Sequence, residues 1–213
     1  MVAINGKTPA ESNANFIHKE IQAPEPRQEW VDIPLADGAI NAAEYLSAFV
    51  YYKTREIKIG FELRGPRGMW PLTWSKLLRD FHGKKVQVVF SDDSEFYWTG
   101  TAKVSALVDN GATAGVTITV TAQPFKRTFQ TVTALSAEAV SGDKTFTLNV
   151  PYLRAYPTFD TSASGFTITY NGETWSLPQG KSTAYGLTLL AGENEIKVHG
   201  SGTITVAYEG GAL

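Results

Sequence analysis

The chain has 213 residues, 43 % of them hydrophobic and 19 % charged, with a formal net charge of −2. This composition supports a sizeable core, excludes a disordered chain and offers no global basic field for nucleic acid. Cysteine is absent, which excludes disulfides, thiolate zinc sites and cysteine nucleophiles. No apolar run reaches the roughly 18 residues that span a bilayer, and no secretion signal opens the sequence. We therefore expect a soluble globular protein made in the cytoplasm.

Alternation of apolar and polar residues with a period of two predicts the strands of the first half. The clearest runs cover residues 57–63, 86–90, 96–106 and 116–122. Small residues in the middle of the third run, among them Gly100, indicate a bend or a close approach of two backbones. Asn-Gly and Asp-Gly pairs supply the turns, since these pairs tolerate positive φ. They occur at residues 5–6, 37–38, 110–111 and 171–172.

One helix near residues 72–82 interrupts the strands. Its apolar side chains follow the i, i+3, i+4, i+7 spacing of a single helical face. They are Trp74, Leu77, Leu78 and Phe81. Pro71 or Thr73 suits the helix start and Gly83 the position after its end. We expect this face to close one side of the core, and a weaker helical or turn segment is predicted over residues 42–46.

The second half has a different composition. Residues 1–127 contain 15 Lys and Arg against 14 Asp and Glu, whereas residues 128–213 contain 4 against 7 and are rich in Ser and Thr. Short alternating runs separated by Gly, Asn and Ser predict an antiparallel sandwich there. Their apolar positions are 146/148/150, 166/168/170, 185/187/189, 196/198 and 204/206/208. The expected domains are therefore 1–127 and 128–213.

Catalytic and metal-binding motifs are absent from the sequence. The three histidines are scattered, and neither a nucleophile elbow nor a phosphate-binding loop occurs. His82 is expected at the end of the helix, in a capping or surface role where a cation is favoured. Asp92, Asp93 and Glu95 suit an ordinary turn better than a carboxylate pair or a cation site. We therefore expect no enzyme, no cofactor and no metal.

Two sets of side chains are candidates for binding. The basic, glycine-rich connection 64–70 is either a solvated loop or a docking loop, because Arg and Trp are common interface anchors. With the nearby aromatic run 49–52 it supplies the candidate subunit or partner interface. Its members are Phe49, Tyr51, Tyr52, Arg64, Arg67 and Trp70.

The second set is a candidate sugar-stacking surface in the sandwich, formed by Trp175, Tyr170 and Tyr185. Tyr170 and Tyr185 share the parity of core residues on their predicted strands, which favours packing in the core. Trp175, between Asn171-Gly172 and Pro178, is the better candidate for exposure.

Residues 1–127 resemble the siphophage distal tail protein, often called Dit. The first matching segment is a proline-containing stretch, a turn with an acidic residue, and a strand that begins with Tyr-x-x-Arg. Its positions are Val31, Ile33, Pro34, Asp37, Gly38, Glu44, Tyr52, Arg55, Ile57 and Phe61. The second is a helix end followed by two strands around an Asp-Asp turn, with matches at Gly83, Lys84, Asp92, Asp93, Trp98 and Gly100. Two further elements match in the order that the family has them: Ile-Asn-Gly-Lys at 4–7, near the start of the chain, and Pro-Phe-Lys at 124–126, at the end of the first domain.

The resemblance implies a mainly β protein. Its first domain would be a tail-tube-like split β-barrel with one packed α-helix, and its second a galectin-like antiparallel β-sandwich. The implied function is structural, in the virion of a phage with a long non-contractile tail. Six copies would close a ring at the distal end of the tail, joining the tail tube protein to a tip or tail-associated protein. Receptor-binding or side-fibre components would attach to the outside of the ring, and DNA would pass through its lumen without specific binding. The protein itself would not insert into a membrane.

Two other readings remain open at this point. One is a carbohydrate-binding adhesion module that acts through the C-terminal sandwich. The other is a tail-tube subunit, which would share the barrel and the ring but would not need the 86-residue extension at 128–213.

Overall fold

The computed structural model describes residues 1–9, 13–34, 37–42, 50–151 and 153–213. They form mainly β-structure around a helix of 12 residues, α1 (Trp70–Phe81), which a 3-10 turn (Arg67–Met69) precedes. The chain divides into two units, Met1–Lys126 and Arg127–Leu213. The segment predicted as helix or turn over 42–46 lies almost wholly outside the described residues.

The first unit is an antiparallel sheet in which β7, β9, β5 and β2 are successive neighbours. β6 lies between β1 and β7, β8 pairs with β9, and β3 and β4 form a separate two-stranded sheet. The strands of this unit are β1 (Val2–Ile4), β2 (Ala14–Ile21), β3 (Trp30–Asp32), β4 (Ala39–Asn41), β5 (Arg55–Leu63), β6 (Lys85–Phe90), β7 (Phe96–Val104), β8 (Val108–Asp109) and β9 (Ala114–Ala122).

Alternation along β5 builds the centre of this core. Ile57, Ile59, Phe61 and Leu63 are almost fully buried, while Glu56 points to solvent. Opposite them on β9 lie the equally buried Val120, Ile118, Val116 and Ala114. Cross-strand apolar pairs of this kind are the main source of sheet stability. The four strands predicted from alternation in the first half are present as β5, β6, β7 and β9, although the third ends at Val104, two residues before the predicted end.

Helix α1 begins one residue before Pro71 and ends at Phe81, with His82 as its C-cap and Gly83 at φ +71°. The sequence predicted this helix. Its most buried side chains, however, are Trp70, Thr73, Leu77 and Phe81, whereas Trp74 and Leu78 are half-buried. The stripe that faces the core therefore begins one turn earlier, at Trp70, and is rotated toward Thr73, away from Trp74 and Leu78.

Gly100 allows β7 and β9 to approach closely. It lies opposite Ala122, and a Cβ at this position would be 2.7 Å from the Ala122 Cα and would clash with the Thr121 carbonyl. This confirms the close approach expected from the small residues of this strand. Asn5 and Gly6 both have positive φ, at +52° and +72°, as a type I′ hairpin requires.

The second unit has its own apolar core between antiparallel strands. β15 pairs with β12 and with β11, β13 pairs with β12, and β14 pairs with β11. Two long strands bend where φ is positive, as at Ala137 and Gly142 of β10. The strands are β10 (Lys126–Val150), β11 (Thr158–Thr161), β12 (Phe166–Tyr170), β13 (Glu173–Leu177), β14 (Gly180–Thr183) and β15 (Gly192–Ala212).

The predicted strand over residues 185–189 is wrong. Gly186 has φ +87°, and the N–H of Leu187 donates to the carbonyl of Ala184, so this stretch turns. Leu187 and Leu189 are still buried, but Tyr185 is 97 % exposed. The prediction that Tyr185 points inward failed because alternation with a period of two determines the direction of a side chain only where the backbone stays extended.

Asn194 organises one edge of the second core with a side chain that is 2 % exposed. Its Oδ1 accepts the hydroxyl of Tyr170 at 2.7 Å and the N–H of Leu190 at 2.8 Å. Its Nδ2 donates to the carbonyls of Leu190 and Gly192, at 2.8 and 3.0 Å. The buried amide therefore has partners for both of its ends, as a polar group in a core requires.

Candidate interaction surface

The predicted docking loop at 64–70 is held by ion pairs. Nε of Arg64 lies 2.7 Å from Glu62, Arg67 pairs with Asp109, and both arginine side chains stay largely exposed. These pairs hold the pKa of Glu62 and of Asp109 below the usual range, chiefly through the arginine hydrogen bonds. Trp70 does not belong to this surface. It is 4 % exposed and packs in the first core, so its prediction as an exposed anchor is wrong.

The aromatic run begins outside the described residues, where Phe49 lies. Tyr51 is 45 % exposed. Tyr52 is half-buried and meets the ring of Phe125 edge to face, with centroids 5.7 Å apart. Backbone hydrogen bonds join residues 51–53 to 25–27, and Lys53 pairs with Glu25 at 3.0 Å. The structure thus places Tyr52 beside the Pro-Phe-Lys element at 124–126.

Sequence reasoning did not single out Arg55 as a functional side chain. It is 7 % exposed and lies over the indole of Trp98, with its Cζ 4.6 Å from the ring centroid. Its Nε is buried without a hydrogen-bond partner, and burial lowers the pKa of the guanidinium from its usual value. A signal was present, because Arg55 has the same parity as Ile57 and Ile59 and therefore points inward.

An exposed apolar surface on the β3–β4 hairpin was also missed. Val31, 44 % exposed, and Ile40, 40 % exposed, pair across the two strands on one face, and Trp30, 61 % exposed, lies on the other face. A two-stranded hairpin is marginally stable by itself, and apolar side chains exposed together commonly mark an interaction site. Alternation did not reveal it, because both faces of this hairpin are open to solvent.

Two carboxylates of the acidic turn at residues 92–95 form ion pairs with lysines. Asp92 pairs with Lys19 at 2.5 Å, and Asp93 with Lys126 at 2.6 Å. The Lys19 hydrogen bond is the main reason that the pKa of Asp92 lies below its usual range. No group of three metal-ligating side chains occurs among the residues that the structure describes.

His82 is the C-cap residue of helix α1, as expected. Its Nδ1 lies 3.1 Å from the backbone nitrogen of Val104 and accepts that N–H. The side chain therefore links the end of the helix to β7.

The three aromatic residues of the candidate sugar-stacking set do not form one platform. Tyr170 is in the core, 8 % exposed and bonded to Asn194, so its ring is not available for stacking. Trp175 is half-buried, and its Nε1 donates to the carbonyl of Tyr185 at 2.9 Å. Tyr185 is the exposed member, and its predicted core position is wrong.

Comparison with known proteins shows a likeness to a solved structure. No family model matches the chain, and no curated protein matches it. A solved structure does: the Dit protein (gp 19.1) of phage SPP1, described as a paradigm of the hub adsorption apparatus in phages that infect Gram-positive bacteria. The TM-score is 0.73 at 14 % identity, covering 100 % of this chain and 98 % of that one. The chain has the Dit fold. This confirms the resemblance seen in the sequence and its mainly β class; at this identity the likeness establishes the fold alone. In the described part of this Dit-like chain, no helix is long and apolar enough to cross a membrane.

Proposed function

We propose that the protein is a structural, non-enzymatic component of the distal end of a long non-contractile phage tail. The observation that carries this proposal is the likeness to SPP1 Dit over the whole chain, both units included. A tail-tube subunit would explain the first unit but gives no reason for the second, Arg127–Leu213.

In this proposal six copies form a ring through their first units. The ring joins the tail tube protein to a tip or tail-associated protein, and the second unit meets receptor-binding or side-fibre components. A closed ring needs two different, complementary faces on each copy. The exposed apolar surface of the β3–β4 hairpin and the arginines of the 64–70 loop supply candidate parts of these faces.

The charge balance of the first unit supports a lumen through which DNA passes without retention. Residues 1–127 carry 15 basic and 14 acidic side chains, and several of these are already paired with each other. Retention of duplex DNA depends on phosphate contacts with unpaired cations and falls steeply with salt. We therefore expect no measurable duplex binding at physiological salt, and micromolar binding with a steep salt slope would contradict this lumen.

The decisive experiment measures the mass of the full-length protein by light scattering over a range of concentrations, with negative-stain microscopy of the same samples. We expect single rings and a species of six times the 23.2 kDa chain. Continuous tubes would favour a tail-tube subunit. A monomer at every concentration that binds on a glycan array would favour the adhesion module.

A pair of variants tests the hairpin as part of the ring contact. Val31→Asp places a charge on the exposed β3–β4 surface, and Ile17→Asp places the same charge on β2, where a β-branched apolar residue is also exposed. We expect the first variant to shift the mass distribution toward the monomer and the second to assemble as the wild type does. Equal behaviour of the two variants would remove the hairpin from the contact.

A further inference from the structure

Arg55 is a buried cation without an anionic partner in the described chain. It opens β5 opposite Ala122 and is 7 % exposed. Its guanidinium stacks on Trp98, its Nε has no hydrogen-bond partner, and burial lowers its pKa from the usual value. An unpaired charge in a core is costly, because stacking on a ring replaces only part of the lost hydration. Such a position suggests that a partner supplies the missing anion.

The side chain is built to receive a planar anion. Nε is closed to solvent and has no hydrogen-bond partner, and it is the one nitrogen of this side chain for which both are true. The small part of the side chain that stays accessible therefore includes the two terminal Nη atoms. The indole of Trp98, itself 4 % exposed, covers one face of the guanidinium, with the Arg55 Cζ 4.6 Å from the ring centroid. A guanidinium held in this way presents two parallel N–H groups, the geometry that carboxylates accept in bidentate fashion.

Aromatic side chains lie close in sequence to Arg55 and to Ala122, the residue opposite it on β9. Phe125 follows Ala122 by three residues and meets the ring of Tyr52, three residues before Arg55, with centroids 5.7 Å apart. The next residue is Lys126, whose Nζ lies 4.3 Å from the ring centroid of Phe96 and is already paired with Asp93. Arg55 itself contacts the ring of Trp98, and arginine and tryptophan are among the residues that dominate binding energy at interfaces. Among the described residues, Lys126 therefore has an anionic partner and Arg55 has none.

We propose that Arg55 is the anchor for a carboxylate side chain of a second copy of this chain. This inference rests on the proposed ring, and it adds to the contacts between first units a contact of Arg55 with the second unit of the neighbouring copy. Charge complementarity supports a second copy as the occupant, since residues 128–213 carry 7 acidic against 4 basic side chains. Exposed carboxylates outside the ion pairs of the described residues are available there, among them Glu173, Glu193 and Glu195.

Three variants of the full-length protein test the anchor. Arg55→Met keeps most of the length of the side chain but removes its charge. Arg55→Lys keeps a positive charge but removes the planar guanidinium and its pair of parallel N–H groups. Arg79→Met is the matched control, because it removes a cation of the same unit whose side chain is 72 % exposed. For each variant, analytical ultracentrifugation gives the association constant, and urea unfolding at a concentration where the monomer dominates gives the stability.

We expect both Arg55 variants to weaken association by about tenfold or more, as loss of a buried charge pair does, while Arg79→Met leaves it unchanged. We also expect the monomer of Arg55→Met to unfold at no lower urea concentration than the wild type, because the variant removes an unpaired buried charge. Wild-type association of both Arg55 variants would overturn the proposal. So would an Arg55→Met monomer that unfolds much earlier while Arg55→Lys associates normally, which would make the arginine an internal packing residue.

A titration with acetate separates this proposal from the ring itself. In nitrogen-15 NMR of the wild type under monomeric conditions, acetate is expected to shift the Arg55 Nε–H signal and not that of Arg79. If the wild type stays monomeric but acetate shifts the Arg55 signal, the proposed ring is wrong, and so is the proposal that a second copy supplies the carboxylate. The capacity of Arg55 to bind a carboxylate would still be supported. If the wild type assembles but acetate has no effect on Arg55 and the Arg55 variants assemble normally, the anchor fails and the ring stands.

Discussion

The two units bury similar apolar strands but stabilise the surroundings of their cores in different ways. In the described residues, four carboxyl groups have a pKa held below the usual range, and all four lie in the first unit, each next to a lysine or arginine. In the second unit a neutral amide, Asn194, bonds to a tyrosine hydroxyl and to backbone groups. The comparison shows that one pattern of alternation is compatible with a charged, pH-sensitive periphery or with a buried, neutral hydrogen-bond network.

The largest effect is expected from the helix of the first unit. Leu77→Ala removes a side chain that is 1 % exposed and should lower the free energy of unfolding by about 2–5 kcal/mol, the range for a truncated buried leucine. Leu78→Ala on the same helix is the control, and because Leu78 is half-buried its cost should be smaller. Urea unfolding followed by circular dichroism gives both values. A cost for Leu77→Ala below about 0.5 kcal/mol would show that the helix does not close this core.

A comparable change in the second unit removes its amide network. Asn194→Ala leaves the Tyr170 hydroxyl and the Leu190 backbone without their partner and should cost about 2–4 kcal/mol, since each buried unpaired group costs about 1–3 kcal/mol. Asn149→Ala is the control, because that side chain is exposed. Hydrogen exchange measured by mass spectrometry should show the loss of protection in peptides of Arg127–Leu213. Equal protection in the two variants would mean that the network adds nothing to stability.

A smaller effect is expected where two strands of the first unit approach each other. Gly100→Ala forces a Cβ against the backbone of Thr121 and Ala122 and should cost about 1–3 kcal/mol, the usual range for overpacking. Gly68→Ala is the control, because no atom lies within 4 Å of its Cβ position, and it should stay within about 0.5 kcal/mol of the wild type. Thermal unfolding compares the two. Tolerance of alanine at Gly100 would mean that β7 and β9 can separate without penalty.

The smallest effect concerns acid. Hydrogen bonds from Arg79, Lys19, Arg67 and Arg64 lower the pKa of Asp80, Asp92, Asp109 and Glu62, respectively. A carboxyl whose pKa is lower in the folded than in the unfolded state stabilises the fold above its unfolded pKa. That contribution is lost as the pH falls through the folded pKa, which places the loss below about pH 5. The first unit should therefore weaken before the second on acidification.

The measurement uses Trp175→Phe, which leaves tryptophans only in residues 1–127. Its fluorescence reports the first unit, and hydrogen exchange of Arg127–Leu213 reports the second. Salt should reduce the difference between the units, since these pairs are largely exposed and screened. Earlier acid unfolding of the second unit would contradict the assignment of the pH-sensitive groups to the first.

Much of the fold could be predicted from the sequence because strand and helix periods are local. Ile57, Ile59 and Phe61 face inward for the same reason in the sequence and in the structure. The candidate site was less accessible to this reasoning. Trp70 was expected at the surface because it ends a basic, glycine-rich connection, but it begins helix α1 and turns into the core. Tyr185 was expected inside because of its parity, but a turn at Gly186 directs it to solvent.

By itself, the sequence determined that the chain is mainly β, where its helix lies, and which positions of each extended run face inward. These properties depend on neighbours two to four residues apart, whose spacing is written in the chain. Only the tertiary structure decided that His82 accepts the N–H of Val104 and that Arg55 lies on Trp98 with no anion among the described residues. These contacts join residues on different elements, and the register and packing of those elements, rather than local periodicity, determine which side chains meet.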